Sequence, residues 1–487
     1  MLFKTVPRKR RTSHLLQKRP SGLNWKRMIR YKDFEDLINR MVASFPQRTA
    51  LLYSPKGEEG VRAATWSELA GLVRARADEL VERGRTCEAI LADGSCGCVV
   101  EVFAAVQAGL QVALVDPLMP NGVMEPLLRS VDADCAWSSN PARQEEIEKT
   151  LAPKSKPAYG AHGVLFFTSG TTSFSKAVVL TDESLMSSAF NGSSLLPLSP
   201  DDTLLCLLPL SHVFGFVCGL LWGLSCGATV ALGRGPRYYA ADFATFKPTA
   251  VSTVPKLLEF LAARNALNDE LSLVLVGAAD CADSLLDAVR SRGIRVSLGY
   301  GLTETSSGVA LSIGDNYHAM TVCPEDKVTI ADDGEILVNA PTCIMQGYYR
   351  DEEKTAKAIC NGILHTGDLG FFDENGLLHV KGRKKDVLML PNGTKVFLPE
   401  YEAAVIDALK EHDVAVMLCG STLTLACGKL ASKQAGEIMK AIEPAMATYP
   451  PGSRIGHIVH IGHALPRTAA GDIERWKLQK ELDDGNC

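Results

Sequence analysis

The residues best suited to chemistry lie in GVLFFTSGTTSFSKAVVLT, residues 163–181. An apolar strand runs into a loop of Ser, Thr and Gly170 that ends in Lys176, and a second apolar strand follows. Small residues let backbone N–H groups converge on an anion, and the hydroxyls of Thr168, Ser169, Thr171 and Thr172 add donors. A polyphosphate is the natural guest. The loop is not a Walker A motif, because the G-x-x-x-x-G-K-[ST] spacing is absent and a strand, not a helix, follows the lysine. Taken alone, such a loop is equally well read as an ordinary surface connection.

Four further motifs follow in order: SLGYGLTET, HTGDLG, KGRKKD and ALPRTAAGDIERWKL. With the loop they resemble the adenylate-forming superfamily of acyl-CoA synthetases, peptide-synthetase adenylation domains and luciferases, from about residue 31 to the C-terminus. The resemblance implies ATP-dependent activation of a carboxylic acid as an acyl-adenylate, release of pyrophosphate, and transfer to a thiol. A carboxylate and a triphosphate repel, so such a site must neutralise charge, align the attacking oxygen with the α-phosphorus and place Mg²⁺ on the departing group. The implied cofactors are ATP/AMP, Mg²⁺ and the thiol of CoA or of a phosphopantetheine, the latter on an acyl carrier protein.

The resemblance also implies roles for individual residues. Thr168, Ser169, Gly170, Thr171, Thr172 and Lys176 would cover the β and γ phosphates, with Ser173 and Ser175 standing where Gly and Pro are more usual. Gly277, Ala278 and Ala279 would line the adenine, and Tyr300, followed by Gly301, would stack on it. Thr303 would contact the α-phosphate, and Glu304, with Thr171, would help hold Mg²⁺. Asp368 would accept hydrogen bonds from both ribose hydroxyls, as an ionised carboxylate can, and Arg383 would add a ribose or phosphate contact. Lys385 falls at the hinge about which the small domain turns. His212, in LPLSHVFGF, would stand at the mouth of the acid pocket. Pro209 to Gly227 contains no acid to pair with an ammonium, so an apolar acyl or aryl acid fits better than an amino acid.

One position departs from the pattern. The last motif normally ends in Gly-Lys, a lysine that bridges the acid's carboxylate and the α-phosphate, whereas here Asp472 follows Gly471. At an effective dielectric of ~20 and a separation of about 4 Å, exchanging attraction for repulsion changes the pair energy by several kcal/mol. Three outcomes follow: Lys477 or Lys480 reaches in, adenylation is slow and only thiol transfer competent, or the chain is a degenerate nucleotide- and acyl-binding protein. The large domain's nucleotide motifs favour an active ligase. A luciferase-like oxygenase is the other class to separate from it, by light emission or O₂ uptake.

The elements that must position these residues read as α/β. Tyr31, Phe34, Leu37, Ile38, Met41, Val42 and Phe45 recur at helical intervals. TALLYS reads as a strand, and Thr65 with Glu68 as a capping box before a helix to about Arg83. EAILAD, CVVEVFAAVQAG and QVALVDP form a parallel crossover unit, and the alternation recurs to about residue 320. A β-rich lobe with a DENG hairpin follows. The expected division is a large N-terminal domain of buried sheets flanked by helices plus that lobe, residues 31–382, and a small mobile α+β domain, residues 383–487, joined by a tight hinge near Gly382 to Asp386.

Charge and composition limit the alternatives. The chain of 487 residues has a formal net charge of -5. Residues 1–30 hold ten Lys and Arg and no acid, so the remainder carries 41 basic against 56 acidic residues, a net of -15. A uniformly basic nucleic-acid binder is excluded. The tail reads as a disordered extension or an upstream start before Met28, with a transit peptide or a nucleic-acid or anionic-membrane patch as alternatives. Fourteen Cys without a C-x-x-C pair read as reduced cytoplasmic thiols rather than a zinc site or disulfides. Val213 to Leu232 is twenty residues without a charge, but divides into a helix ending near Gly227 and a strand, neither of which spans a bilayer. His457, His460 and His463 do not converge on a metal, since His460 faces away on the expected strand and the outer two lie about 20 Å apart at ~3.3 Å per residue.

Overall fold

The computed structural model describes residues 29–55, 60–151, 163–168, 176–390, 394–420, 422–428, 434–467 and 473–483. The basic tail, most of the hydroxyl-rich loop (169–175) and Asp472 lie outside the described residues.

Local signals in the sequence account for the first elements. Helix Phe34–Ser44 starts on the Asp33 side chain, which accepts from the Asp36 N–H, and buries Phe34, Leu37, Ile38 and Met41. Helix Trp66–Arg83 begins at the expected reciprocal pair, with Thr65 accepting from the Glu68 N–H and Glu68 accepting from the Thr65 N–H. It ends at Gly84 in the left-handed region. Arg30, counted with the tail by charge, is fixed to the body, its Nη1 2.7 Å from Glu325.

Two large sheets carry the body. In the first, strands Arg295–Leu302, Leu273–Val276, Ala250–Thr253, Thr203–Cys206, Thr229–Leu232 and Thr49–Tyr53 run parallel in that order. Antiparallel strands Ser307–Leu311 and Thr321–Val322 extend one edge, and Arg62–Thr65 the other. In the second, Gly163–Thr168, Gln111–Val115, Cys87–Leu91 and Cys135–Trp137 run parallel, while Lys176–Thr181 and Gly347–Tyr348 add antiparallel strands beside Gly163–Thr168. The central strands are buried along their whole length, as a sheet covered on both faces requires.

The charge-free stretch resolves as expected into helix and strand. Val213–Phe216 and Trp222–Ser225 are α-helical around a π-helical turn, Val217–Leu221, and Thr229–Leu232 is a strand inside the first sheet. Among the described residues, no helix is long and apolar enough to cross a membrane.

A third sheet, Lys327–Ile330, Glu335–Asn339, Ile363–Phe372, Ile359–Cys360 and Leu378–Arg383, forms the β-rich lobe. Its DENG turn, Asp373 to Gly376, joins the two strands that carry Asp368 and Arg383. Beyond a 3-10 turn at Lys384–Asp386, a separate apolar cluster gathers Leu398, Val405, Val416, Leu425, Ile438 and Ile442 from two helices and a three-stranded sheet.

Candidate nucleotide and acid site

Strands of the three sheets carry many of the expected residues at or near their ends. Thr168 and Lys176 are the last register pair of their two strands, so the seven residues between them span the mouth of a hairpin. Ser169, Gly170, Thr171 and Thr172 belong to that span and lie outside the described residues.

The first sheet supplies the next group. Gly277 ends strand Leu273–Val276, and a Cβ there would lie 2.8 Å from the Phe214 ring. Ala278, exposed like Ala279, has φ 68°, a left-handed conformation uncommon for a residue with a Cβ and concentrated at functional sites. Strand Arg295–Leu302 carries Tyr300 and Gly301 into the 3-10 turn Thr303–Thr305. Gly301 is obligatory where this strand and Ser307–Leu311 close on each other, because a Cβ would sit 1.6 Å from the Ser307 carbonyl oxygen.

Asp368 is the hub. It is buried, and its partners are Tyr300, whose hydroxyl donates at 2.8 Å to Oδ2, and Arg383, whose Nε lies 2.9 Å from Oδ1. Asp368 and Arg383 are direct register partners across the hairpin, which fixes their separation through the backbone. Burial raises the Asp368 pKa, and Arg383 and Tyr300 oppose that shift. Burial also raises the Tyr300 hydroxyl, with the Asp368 charge second. A carboxylate oxygen can accept more than one hydrogen bond, so these two donors do not exhaust the acceptor capacity of Asp368. A cleft of about 450 Å³ lined by Gly367, Arg383, Lys384 and Lys385 opens beside this group.

Glu304 lies on the same rim. Tyr348 donates to its Oε1 at 2.8 Å, and Lys176 Nζ sits 4.4 Å from the Tyr348 ring centroid. No cluster of three or more His, Cys, Asp or Glu that could hold a metal occurs among the described residues. Glu304 alone supplies one carboxylate, which is compatible with a Mg²⁺ that takes one or two carboxylates and completes its octahedron with water and substrate phosphates. Strand His457–His460 ends before His463, whose Nε2 lies 3.2 Å from Glu481.

His212 immediately precedes helix Val213–Phe216 and keeps solvent access. The protein packed around it lowers its imidazole pKa, and Asp116 partly opposes this. That helix presents Phe214 to the Gly277 backbone, and the π-helical turn after it carries Cys218, whose Sγ lies 3.5 Å from Ser307 Oγ. This wall contains no charged side chain.

Lys385 is exposed in the turn after Arg383. Its neighbours are anchored in opposite directions. Lys384 Nζ lies 2.9 Å from Glu335 and 2.6 Å from Asp333 in the lobe, whereas Asp386 lies 3.5 Å from Arg475 in the C-terminal helix. Asp472 lies outside the described residues; on its flanks Arg467 and Ile473 form an antiparallel bridge. Lys477 is held by Glu474 at 2.6 Å. Tyr348, Lys384 and Arg475 were not singled out by the sequence, because nothing in their local neighbourhoods signals their distant partners.

The described thiols are free. Most are buried, and burial pushes Cys206 up to about 12 and Cys218 up to about 11, as expected of packed rather than reactive cysteines.

Residues 38–349 match the family model of AMP-binding enzymes. The chain is 28% identical over 344 residues to 2-succinylbenzoate–CoA ligase of Bacillus cytotoxicus, covering 66% of this chain and 70% of the relative. It is 28% identical over 511 aligned residues to indoleacetate–CoA ligase of Aromatoleum aromaticum, covering 92% and 94%. The solved structure of O-succinylbenzoate coenzyme A synthetase of Bacillus subtilis, in complex with ATP and magnesium ion, superposes with TM-score 0.77 at 22% identity, over 91% of this chain and 99% of that one. The last likeness establishes the fold. The degenerate binding protein left open by Asp472 has no support among these relatives. The chain belongs to the AMP-binding enzyme family and is an AMP-forming acid–thiol ligase.

Proposed function

We propose that this ligase joins an apolar aryl or acyl acid to coenzyme A through an acyl-adenylate. The observation that carries the reading is the convergence of Tyr300, Asp368 and Arg383, with the uncharged residues Phe214 and Gly277 at the end of the strand paired beside the one that carries Tyr300. Asp368 would hold the ribose hydroxyls with Arg383 beside them, and Thr303 would meet the α-phosphate. Lys176 would balance the outer phosphates. Glu304, with Thr171, would hold Mg²⁺, which when bound neutralises charge on the departing pyrophosphate. A substrate carboxylate oxygen attacks the α-phosphorus, and the bond to the pyrophosphate oxygen breaks. The CoA thiolate then attacks the acyl carbon, and AMP leaves with the electron pair of the broken C–O bond. His212, held neutral by its surroundings, would face the acid without adding a charge.

The wall favours a flat apolar acid, because an ammonium would enter without a carboxylate partner. The relatives named for 2-succinylbenzoate and indoleacetate support an aryl acid and CoA over a carrier-bound thiol. The separate apolar cluster beyond residue 386 supports a large unit and a mobile small domain turning at Lys385, close to the expected boundary between residues 382 and 383, with Arg383 kept on the large unit by its pairing with Asp368. Free, buried thiols support a cytoplasmic setting. The test is product analysis with ATP, Mg²⁺, CoA and a panel of aryl, fatty and α-amino acids. Acyl-CoA and AMP are expected in equal amounts from aryl or fatty acids. Thioester from the amino acids alone would overturn the substrate class.

A further inference from the structure

We propose that Tyr348 is a positioning residue that sets the Lys176 ammonium and the Glu304 carboxylate relative to each other; the inference rests on the functional reading above. Tyr348 is buried, at 5% exposed, and makes one contact with each group: its hydroxyl donates to Glu304 Oε1 at 2.8 Å, and its ring lies beneath Lys176 Nζ at 4.4 Å. Its backbone is tied to the elements that carry both. Tyr348 pairs in register with Val178 on the strand that begins at Lys176. Gln346 N–H donates to Val179 O at 2.9 Å and Tyr349 N–H to Ala177 O at 2.8 Å. On the other side, Met345 N–H donates to the Glu304 carbonyl at 2.8 Å. The Tyr348 N–H is itself held by Thr355 Oγ1 at 2.8 Å.

A buried phenol must find a partner, and a core role alone would be filled by Phe. Here the partner is a carboxylate, which makes the bond charge-assisted and fixes one oxygen of a side chain otherwise free to rotate. The other oxygen would thereby be left for the metal. The ring adds a cation–π seat for the lysine, so one side chain sets both the cation for the outer phosphates and the carboxylate for their metal.

The test uses the full chain as wild type, Tyr348→Phe, Glu304→Gln and the double variant. ATP binding is measured by calorimetry in EDTA, and Mn²⁺ binding to the ATP complex by electron paramagnetic resonance. Tyr348→Phe keeps the ring, so metal-free ATP affinity should match wild type while the Mn²⁺ dissociation constant rises about tenfold, the scale of one charge-assisted hydrogen bond. Added to Glu304→Gln, it should cost nothing more. Unchanged Mn²⁺ affinity, an equal loss with and without metal, or a loss that adds to that of Glu304→Gln overturns the positioning role. General misfolding would give that additive loss, so it also counts against the proposal. A wild type that binds neither ATP nor its Mn²⁺ complex overturns the functional reading itself.

Discussion

Arg475 grips Glu402 with two parallel hydrogen bonds, Nη1 to Oε1 at 2.7 Å and Nη2 to Oε2 at 2.9 Å, and its Nε lies 3.5 Å from Asp386. One guanidinium therefore links the C-terminal helix Arg475–Asp483, the helix Leu398–Leu409 and the turn that holds Lys385. Glu402 Oε1 also accepts from the Val416 N–H at 2.7 Å. Replacing Arg475 by Met leaves a largely buried carboxylate without its counter-charge. A loss of roughly 2–4 kcal/mol is expected, read as an earlier urea midpoint of the C-terminal unit. Arg475→Lys should recover only part of it, because an ammonium cannot reproduce the fork.

Asp326 gives a pH signature. It is buried, and among the described residues neither of its carboxylate oxygens has a hydrogen-bond partner within bonding geometry. Burial, reinforced by the charge of Glu325 and opposed by the Asn191 amide, pushes it up to about 7 from the usual 3.8. The folded state therefore holds this proton more tightly than the unfolded chain does. Its contribution to stability is fully present below about pH 4 and is lost as pH rises through about 7. Asp326→Asn should be near neutral in thermal melts at pH 4 and stabilising by about 2–4 kcal/mol at pH 8. A stabilisation that does not change between the two pH values would count against the assignment.

What the sequence made legible was local or motif-borne. The Thr65–Glu68 box is a three-residue relationship, and the Gly-terminated helix before Thr229–Leu232 is a question of length and charge. Asp368 and Tyr300 came from motifs, yet the bond between them joins residues 68 apart and exists only because two sheets meet. Tyr348 lies 44 residues from Glu304, and Arg475 lies 73 from Glu402. Neither sits in a pattern whose period or capping marks it. Lys477, read as a substitute cation for the missing lysine, has Glu474 one helical turn away and pairs with it. Such partners are set by tertiary packing, which hydrophobic period does not encode.

Asp472 puts a carboxylate where the family pattern has a lysine, and acid activation is expected to survive it. Lys176 and Arg383 are placed by strand pairing, Lys176 with Thr168 and Arg383 with Asp368. The most direct measurement is acid-dependent exchange of labelled pyrophosphate into ATP, with aryl and fatty acids, for wild type and Asp472→Lys side by side. Exchange is expected in both, with the lysine variant faster. A silent wild type beside an active lysine variant, or silence from both, would contradict the claim that this chain forms acyl-adenylates.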